Sequence, residues 1–282
     1  MENQIKDYSI IEKIENIDKL NPDLNNLNQL FLIDEKYIKE VIKSAELNKQ
    51  DIILEIGPGT GELTKELVKK VSKVIAVEID KKFKKILDNI KGNVEIIFDD
   101  AKKYLKKERN SFNKLVSSPP YNLCEPLMHI LTKKPNIELI ILITPYGFYD
   151  KIKNSPIFSA FFDIKKIIDI PNTAFYPIPR IDSEIIKLTP RPDYERDKDE
   201  FSFLVRNLYI QKDKKIKNAI RSTLINLFKL KNKKLSKREA RDIIKGLNLY
   251  EDVLQKKMQN YKPELYDMIG GKILTVLKKY NS

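Results

Sequence analysis

Ile52-Ile-Leu-Glu-Ile56 runs straight into Gly57-Pro-Gly-Thr-Gly61 and then Glu62-Leu-Thr-Lys-Glu-Leu-Val68. A short apolar run rich in β-branched residues, a Gly-x-Gly-x-Gly turn and a helical pattern, in that order, predict strand, tight turn and helix. Glycines at such a turn let the backbone approach a ligand where any Cβ would collide. Gly57, Gly59 and Gly61 would pass beneath an adenosine-type cofactor, with Glu55 at the strand end facing it. Glu78 closes the next apolar run, placed to accept hydrogen bonds from both hydroxyls of a ribose. The same arrangement fits nicotinamide dinucleotide enzymes, and an ordinary tight turn remains open on the glycines alone. Asp100-Ala101 adds a carboxylate where an adenine amine would lie, or else a helix N-cap before Lys102–Lys106.

Outward from this turn, apolar runs alternate with longer helical patterns up to about Leu188. That alternation predicts an α/β domain with a mostly parallel sheet. Strands are expected at Ile52–Ile56, Val74–Val77, Val94–Phe98, Lys114–Ser117, Leu139–Ile143, Lys166–Ile170 and Ser183–Leu188, and helices at Glu35–Leu47 and Glu62–Lys70. Thr189-Pro-Arg-Pro followed by dense charge to Glu200 reads as a linker. Phe201 onward carries few β signals and amphipathic repeats, the mark of a small helical domain. The expected layout is an N-terminal extension at 1–28, a cofactor-binding domain at 29–190, a linker at 191–199 and a basic helical domain at 200–282.

With 282 residues, 41% of them hydrophobic, the chain can bury one full core and a smaller second one. A single cysteine, Cys124, excludes an internal disulfide and suits a reducing compartment; a single histidine, His129, excludes a multi-histidine metal site. No metal is expected, and both residues are expected to pack in the helix after residue 120. No signal core or membrane span is evident, so the expectation is a cytoplasmic protein. The net charge is +13, and +10 of it falls between Gln211 and Arg241, where 12 Lys or Arg face 2 acids. Such a block is either a solvated helical face or the footprint of a polyanion binder.

About sixty residues after the glycine turn stands Ser117-Ser-Pro-Pro-Tyr-Asn122. An exocyclic base amine is a poor nucleophile because its lone pair is delocalised into the ring. The Ser118 hydroxyl and the Pro119 carbonyl would accept both amine hydrogens and free that lone pair. Pro119 and Pro120 fix an extended backbone with no N–H to compete. Tyr121 would stack on a base taken out of its helix or loop. Turn and box together point to a methyltransferase using S-adenosylmethionine, with Glu55 meeting the methionine ammonium, and the +10 block then favours RNA.

These residues resemble the ribosomal RNA adenine dimethyltransferases of the KsgA type, from Gln29 to about Leu224. Gln29-Leu-Phe-Leu32 is similar to the family's first cofactor segment; Glu55–Gly61, Val77-Glu-Ile-Asp80 and Asp100-Ala101 match its cofactor motifs. Ser118–Asn122 with Pro126 is similar to its Asn-Leu-Pro-Tyr-Asn…Pro stretch, and Ile170–Ser183 to its Val-Pro-Pro-Ser-Ala-Phe-x-Pro-x-Pro-Lys-Val-Asp-Ser segment. The resemblance implies a Rossmann-like class I methyltransferase sheet with a small C-terminal helical domain. It implies S-adenosylmethionine contacts at Gln29, Leu32, Glu55, Gly57, Gly59, Gly61, Glu78, Ile79, Asp100, Ala101 and Ser118, and Phe175 as the second wall of the base pocket beside Tyr121. Gln211–Asn218 resembles the basic helix opening the family's C-terminal domain, so Lys212, Lys214, Lys215, Lys217 and Arg221 are expected to bind RNA.

Three departures cluster near the substrate. Ser118 replaces the family's asparagine, Thr144–Asp150 replaces a Gln-x-Glu-x-x-x-Arg helix, and Ser155–Ala160 replaces a Tyr-Gly-x-Leu-Ser-Val segment. Because a Ser-Pro-Pro-Tyr box resembles enzymes that methylate cytosine at N-4, the expected target leans to a cytidine amine in small-subunit ribosomal RNA. Adenine N-6 dimethylation is the alternative, and a non-catalytic assembly factor a further one. The expected partner is ribosomal RNA or a pre-ribosomal small subunit, met by a monomer. Tyr146 and Tyr149 are candidates for stacking on flanking nucleotides; Phe158, Phe161 and Phe162 read as core, with Phe158 facing the pocket as the alternative.

Overall fold

Seven strands form one sheet in the order β4-β3-β2-β5-β6-β9-β7 in a computed structural model that describes residues 8–20, 29–107, 111–134, 136–192 and 199–280. In chain order the first elements are α1 (Tyr8–Leu20), β1 (Phe31–Leu32), α2 (Glu35–Ser44), β2 (Ile52–Ile56), α3 (Glu62–Val68) and β3 (Lys73–Glu78). Then come α4 (Lys84–Leu87), β4 (Val94–Phe98), α5 (Ala101–Lys107), β5 (Lys114–Ser117), α6 (Tyr121–Leu131), β6 (Leu139–Pro145), α7 (Phe148–Lys153) and α8 (Pro156–Phe161). β7 (Phe162–Ile170), β8 (Phe175–Tyr176) and β9 (Ser183–Pro190) complete the strands. The remaining helices are α9 (Glu200–Ile210), α10 (Ile216–Leu230), α11 (Lys237–Gly246), α12 (Glu251–Gln255) and α13 (Glu264–Tyr280).

Strands β2 to β6 run parallel, and β9 returns antiparallel to β6 with Ser183 opposite Pro145. From β2 the chain moves outward through β3 and β4, then crosses back to β5 on the other side. The switch point therefore lies between β2 and β5, where ligands settle at the carboxyl ends of such strands. Central strands read as continuous apolar runs because both faces are covered: Ile53, Leu54, Leu115, Val116 and Ile140 to Leu142 are fully buried. Ser117 Oγ donates to the Ile56 carbonyl at 2.6 Å and pins β2 to β5 at that point.

The chain divides into two compact units, residues 1–149 with 164–190, and residues 150–163 with 191–282. The expected cofactor-binding domain, 29–190, thus loses residues 150–163 to the helical unit. There, Phe161 packs edge-on to Tyr209 of α9, and Ile157, Phe158 and Phe162 are buried. Phe158 is part of the buried core, as the reading of its cluster expects, and does not line the cavity described below. The expected linker 191–199 is described only at its ends, where Arg191 pairs with Asp199 at 3.1 Å and Asp199 caps α9; residues 193–198 lie outside the described residues. Within the expected extension 1–28, residues 8–20 form α1, and 1–7 and 21–28 lie outside the described residues.

Candidate active site

One cavity at the switch point, within the first unit, is lined by nearly every residue the motifs single out. Gln29 enters from just before β1 and Leu32 from β1 itself, Glu55, Gly57 and Gly59 from the end of β2 and its turn, and Glu78 and Ile79 from the end of β3. Asp100 and Ala101 follow β4, and Ser118, Pro119, Pro120 and Tyr121 follow β5. Phe175 reaches the same cavity from β8. Gly61 is the exception. A Cβ there would fall 2.5 Å from Ile90, so its left-handed φ of +80° serves the start of α3 and the packing beneath it.

The wall near β3 is built around Glu78. Its carboxylate accepts the Gly59 N–H at 3.1 Å and the Asp80 N–H at 2.9 Å, which fixes its orientation and leaves lone pairs facing the cavity. Burial raises its pKa against the lowering effect of those two bonds. Asp80 in turn accepts from Gln29 Nε2 at 3.0 Å, so Gln29 is held in place. Phe31 meets Phe83 edge-to-face, their centroids 5.6 Å apart, and both line the cavity. Exposed Ile79 stands at the rim.

Deeper in the cavity, Glu55 accepts the Thr64 hydroxyl at 2.7 Å. Burial pushes its pKa up to about 8, the Thr64 bond lowers it and the Glu78 charge raises it further. A desolvated carboxyl at a cavity wall suits a cationic ligand group, whose arrival would favour ionisation. Asp100 divides its roles: one oxygen accepts the Lys103 N–H at 3.0 Å and caps α5, while the residue still lines the cavity beside Asp99.

At the far side stands the Ser-Pro-Pro-Tyr loop. The Ser118 hydroxyl has no hydrogen-bond partner among the described residues. Pro119 is buried, and Tyr121 begins α6 with its ring half-buried. The Tyr121 hydroxyl is hydrogen-bonded to that of Ser183, itself fully buried at the start of β9. Burial raises the phenol's pKa and keeps it neutral, with Asp182 adding to the effect. Ser183 was legible only as part of a matching segment; its contact spans 62 residues, and no local spacing announces it. Phe31, Thr64 and Asp99 went unnoticed for the same reason. Cys124 is buried, its thiol pushed up to about 12, and His129 sits half-buried in the last turn of α6.

The basic residues expected to bind RNA lie in the second unit. Lys212, Lys214 and Lys215 occupy the turn before α10, and only Lys217 and Arg221 are on it, so the stretch is a turn running into a helix, not one basic helix. Tyr146 is 59% exposed, its ring under Lys166 Nζ at 5.4 Å from the centroid; Tyr149 is half-buried. Among the described residues, no group of three or more His, Cys, Asp or Glu could hold a metal ion. No helix among them is long and apolar enough to cross a membrane.

Comparison with known proteins adds a family match, two relatives and two similar folds. A family model described as ribosomal RNA adenine dimethylase matches residues 23–251. A probable ribosomal RNA small subunit methyltransferase A of Methanosarcina barkeri is 33% identical, over 95% of this chain and 93% of its own length. The ribosomal RNA small subunit methyltransferase A of Borreliella burgdorferi is 30% identical over 86% of each. In fold, the chain is similar to a dimethyladenosine transferase from Plasmodium falciparum, with a TM-score of 0.55, 23% identity and coverage of 87% of this chain and 96% of that one. It is also similar to the 23S rRNA methyltransferase ErmE, with a TM-score of 0.54, 21% identity and coverage of 86% and 99%.

Proposed function

The chain belongs to the ribosomal RNA adenine dimethylase family, and from that membership we propose that it dimethylates the N-6 amine of adenosine in small-subunit ribosomal RNA. It is an enzyme, an S-adenosylmethionine-dependent ribosomal RNA methyltransferase with a Rossmann-like sheet. The observation that supports methyl transfer to a base amine is the meeting in one cavity of two buried carboxyls, Glu55 and Glu78, with Ser118–Tyr121 and Phe175.

The cavity fits the cofactor on its own chemistry. Glu78, held by two backbone N–H groups, would take the ribose hydroxyls, and Glu55 the methionine ammonium. Gln29, Leu32 and Ile79 would cover the nucleoside, and Asp100 with Ala101 would meet its adenine edge. Gly57 and Gly59 leave the backbone bare beneath it. When bound, the cofactor supplies an electrophilic methyl group on sulfur.

Everything else falls to the chain's own groups. Ser118 Oγ and the Pro119 carbonyl accept the two hydrogens of the target amine and turn its lone pair outward. Tyr121 and Phe175 clamp the base ring, with Ser183 holding the tyrosine's hydroxyl. Positioning and exclusion of water supply the catalysis. The methylated amine is acidic enough to lose its proton to a neighbouring acceptor or to water, so no strong base is needed.

The lean to a cytidine amine rested on Ser118 and the Ser-Pro-Pro-Tyr likeness. Nothing in the comparisons supports it, and the family description names adenine. Nucleoside mass spectrometry of small-subunit ribosomal RNA from cells with and without the gene tests the choice. Loss of N-6,N-6-dimethyladenosine is expected. Loss of a dimethylated cytidine instead would reinstate the serine-based reading, and no change in either would remove the proposed substrate.

A further inference from the structure

Along the carboxyl edge of the sheet the site is laid out in one order. Glu78 ends β3, Glu55 lies near the end of β2, Ser118–Tyr121 follow β5, and Tyr146 follows β6, with β9 and then β7 beyond. The two cofactor carboxyls take the β3 and β2 side. The strip over β6, β9 and β7 is therefore the part of the edge left to the nucleotides beside a base held at Tyr121.

On that strip Tyr146 is 59% exposed, yet its backbone is fixed. Its N–H donates to the Asp182 carbonyl at 3.0 Å, and Asp182 precedes Ser183, the hydroxyl partner of Tyr121. The Asp182 side chain accepts the Asn172 N–H at 2.8 Å, which pins the segment leading into β9. Beneath the turn that Tyr146 opens, the buried Glu184 accepts the N–H groups of Gly147 and Tyr149. Gly147 supplies the φ of +84° that the turn requires. Lys166, tied to Asp169 at 3.0 Å, places its Nζ over the Tyr146 ring, 5.4 Å from the centroid. Single exposed apolar side chains are ordinary; what sets this one apart is a buried carboxylate committed to the turn that carries it. Ile178 and Ile181 are exposed just before Asp182, and Ile168 two residues along β7 from Lys166. Charge on the strip is balanced, with Asp169 and Asp182 against Lys166 and Arg180. A neutral surface with an aromatic ring and apolar flanks offers little to phosphate and suits the face of a base.

We propose that Tyr146 is a stacking platform for the nucleotide next to the flipped base. The proposal rests on the base-methylating reading above. Taking a base out of its stack leaves its neighbour with one face bare, and an aromatic ring beside the pocket replaces the lost partner. Because the turn is already fixed, little ordering is lost when the base arrives. The turn falls within Thr144–Asp150, one of the three stretches where the chain departs from the KsgA-type pattern.

The test uses small ribosomal subunits from cells lacking the gene, with the full-length protein and its Tyr146→Phe, Tyr146→Leu and Tyr146→Ala variants. Equilibrium binding to the subunits and steady-state methyl transfer are both measured. The side chain is exposed, so all three variants should keep the parent's thermal unfolding curve. Tyr146→Phe retains the ring and is expected to match the parent. Tyr146→Leu and Tyr146→Ala are each expected to lose roughly ten- to a hundredfold in affinity, the range of one base–aromatic stack. KM should rise in step while kcat and cofactor affinity hold, since the contact is made equally before and during methyl transfer. Parent-like affinity in the Leu and Ala variants, an equal loss in the Phe variant, or a fall in kcat at constant KM overturns the platform. A loss seen with assembled subunits but not with naked ribosomal RNA would put a protein against Tyr146 and also overturns it. Absent methyl transfer by the parent, with the expected order of affinities, would sink the proposed function and leave the stacking surface standing.

Discussion

Glu55 shows how burial sets what a single residue asks of its ligand. With its pKa at about 8, the carboxyl is mostly protonated at neutral pH before any cation arrives. An ammonium group beside it would draw that pKa down, so binding should release a proton. The sign follows: cofactor affinity should rise as the pH climbs toward about 8 and fall again above it, where the ligand's own α-ammonium loses its proton. Calorimetric titrations in buffers of different ionisation enthalpy should find roughly one proton released at pH 7, and Glu55→Gln should abolish that release. Proton uptake, or none with the parent protein, would remove Glu55 from the ammonium. At this scale the motifs located most of the cavity's lining, because glycine turns and proline boxes carry their geometry locally. Partners such as Thr64 and Ser183 stayed hidden because the fold alone brings them near.

Elements were legible in proportion to the length of their pattern. The central strands appear within two residues of their expected ends, since Ile- and Val-rich runs are bounded by charge or glycine. β1 and β8 were not foreseen as strands: two residues each, paired Phe31 to Tyr176 and Leu32 to Phe175, they show no periodicity. Yet they carry Leu32 and Phe175 into the cavity and set Phe31 over the glycine turn. Gly59, at φ +54°, accepts that closeness; an added Cβ would lie 2.8 Å from the Phe31 ring. Gly59→Ala is therefore expected to displace Phe31 as well as strain the turn by about 1–3 kcal/mol. Cofactor affinity should fall at least tenfold, read by equilibrium dialysis. A variant that binds as the parent does would show the turn to be more pliable than its contacts imply.

For the molecule as a whole, the boundary drawn after Pro190 captures only part of the division. The sequence between β6 and β7 has apolar spacing compatible with either unit, and nothing in composition marks residues 150–163 as belonging with 191–282. A chain ending at Pro190 would leave Ile157, Phe158 and Phe162 without the helices that bury them. It is expected to aggregate, while the same truncation with residues 150–163 replaced by a short Gly-Ser loop stays soluble; light scattering of the two distinguishes them. Equal solubility would mean that 150–163 can fold back without its partners. This division also bears on inheritance. A single crossover could not transplant the helical unit between related genes, because its parts are encoded on both sides of β7 and β9. Recombination would have to join three junctions at once, near 149/150, 163/164 and 190/191, so the two units are constrained to descend together.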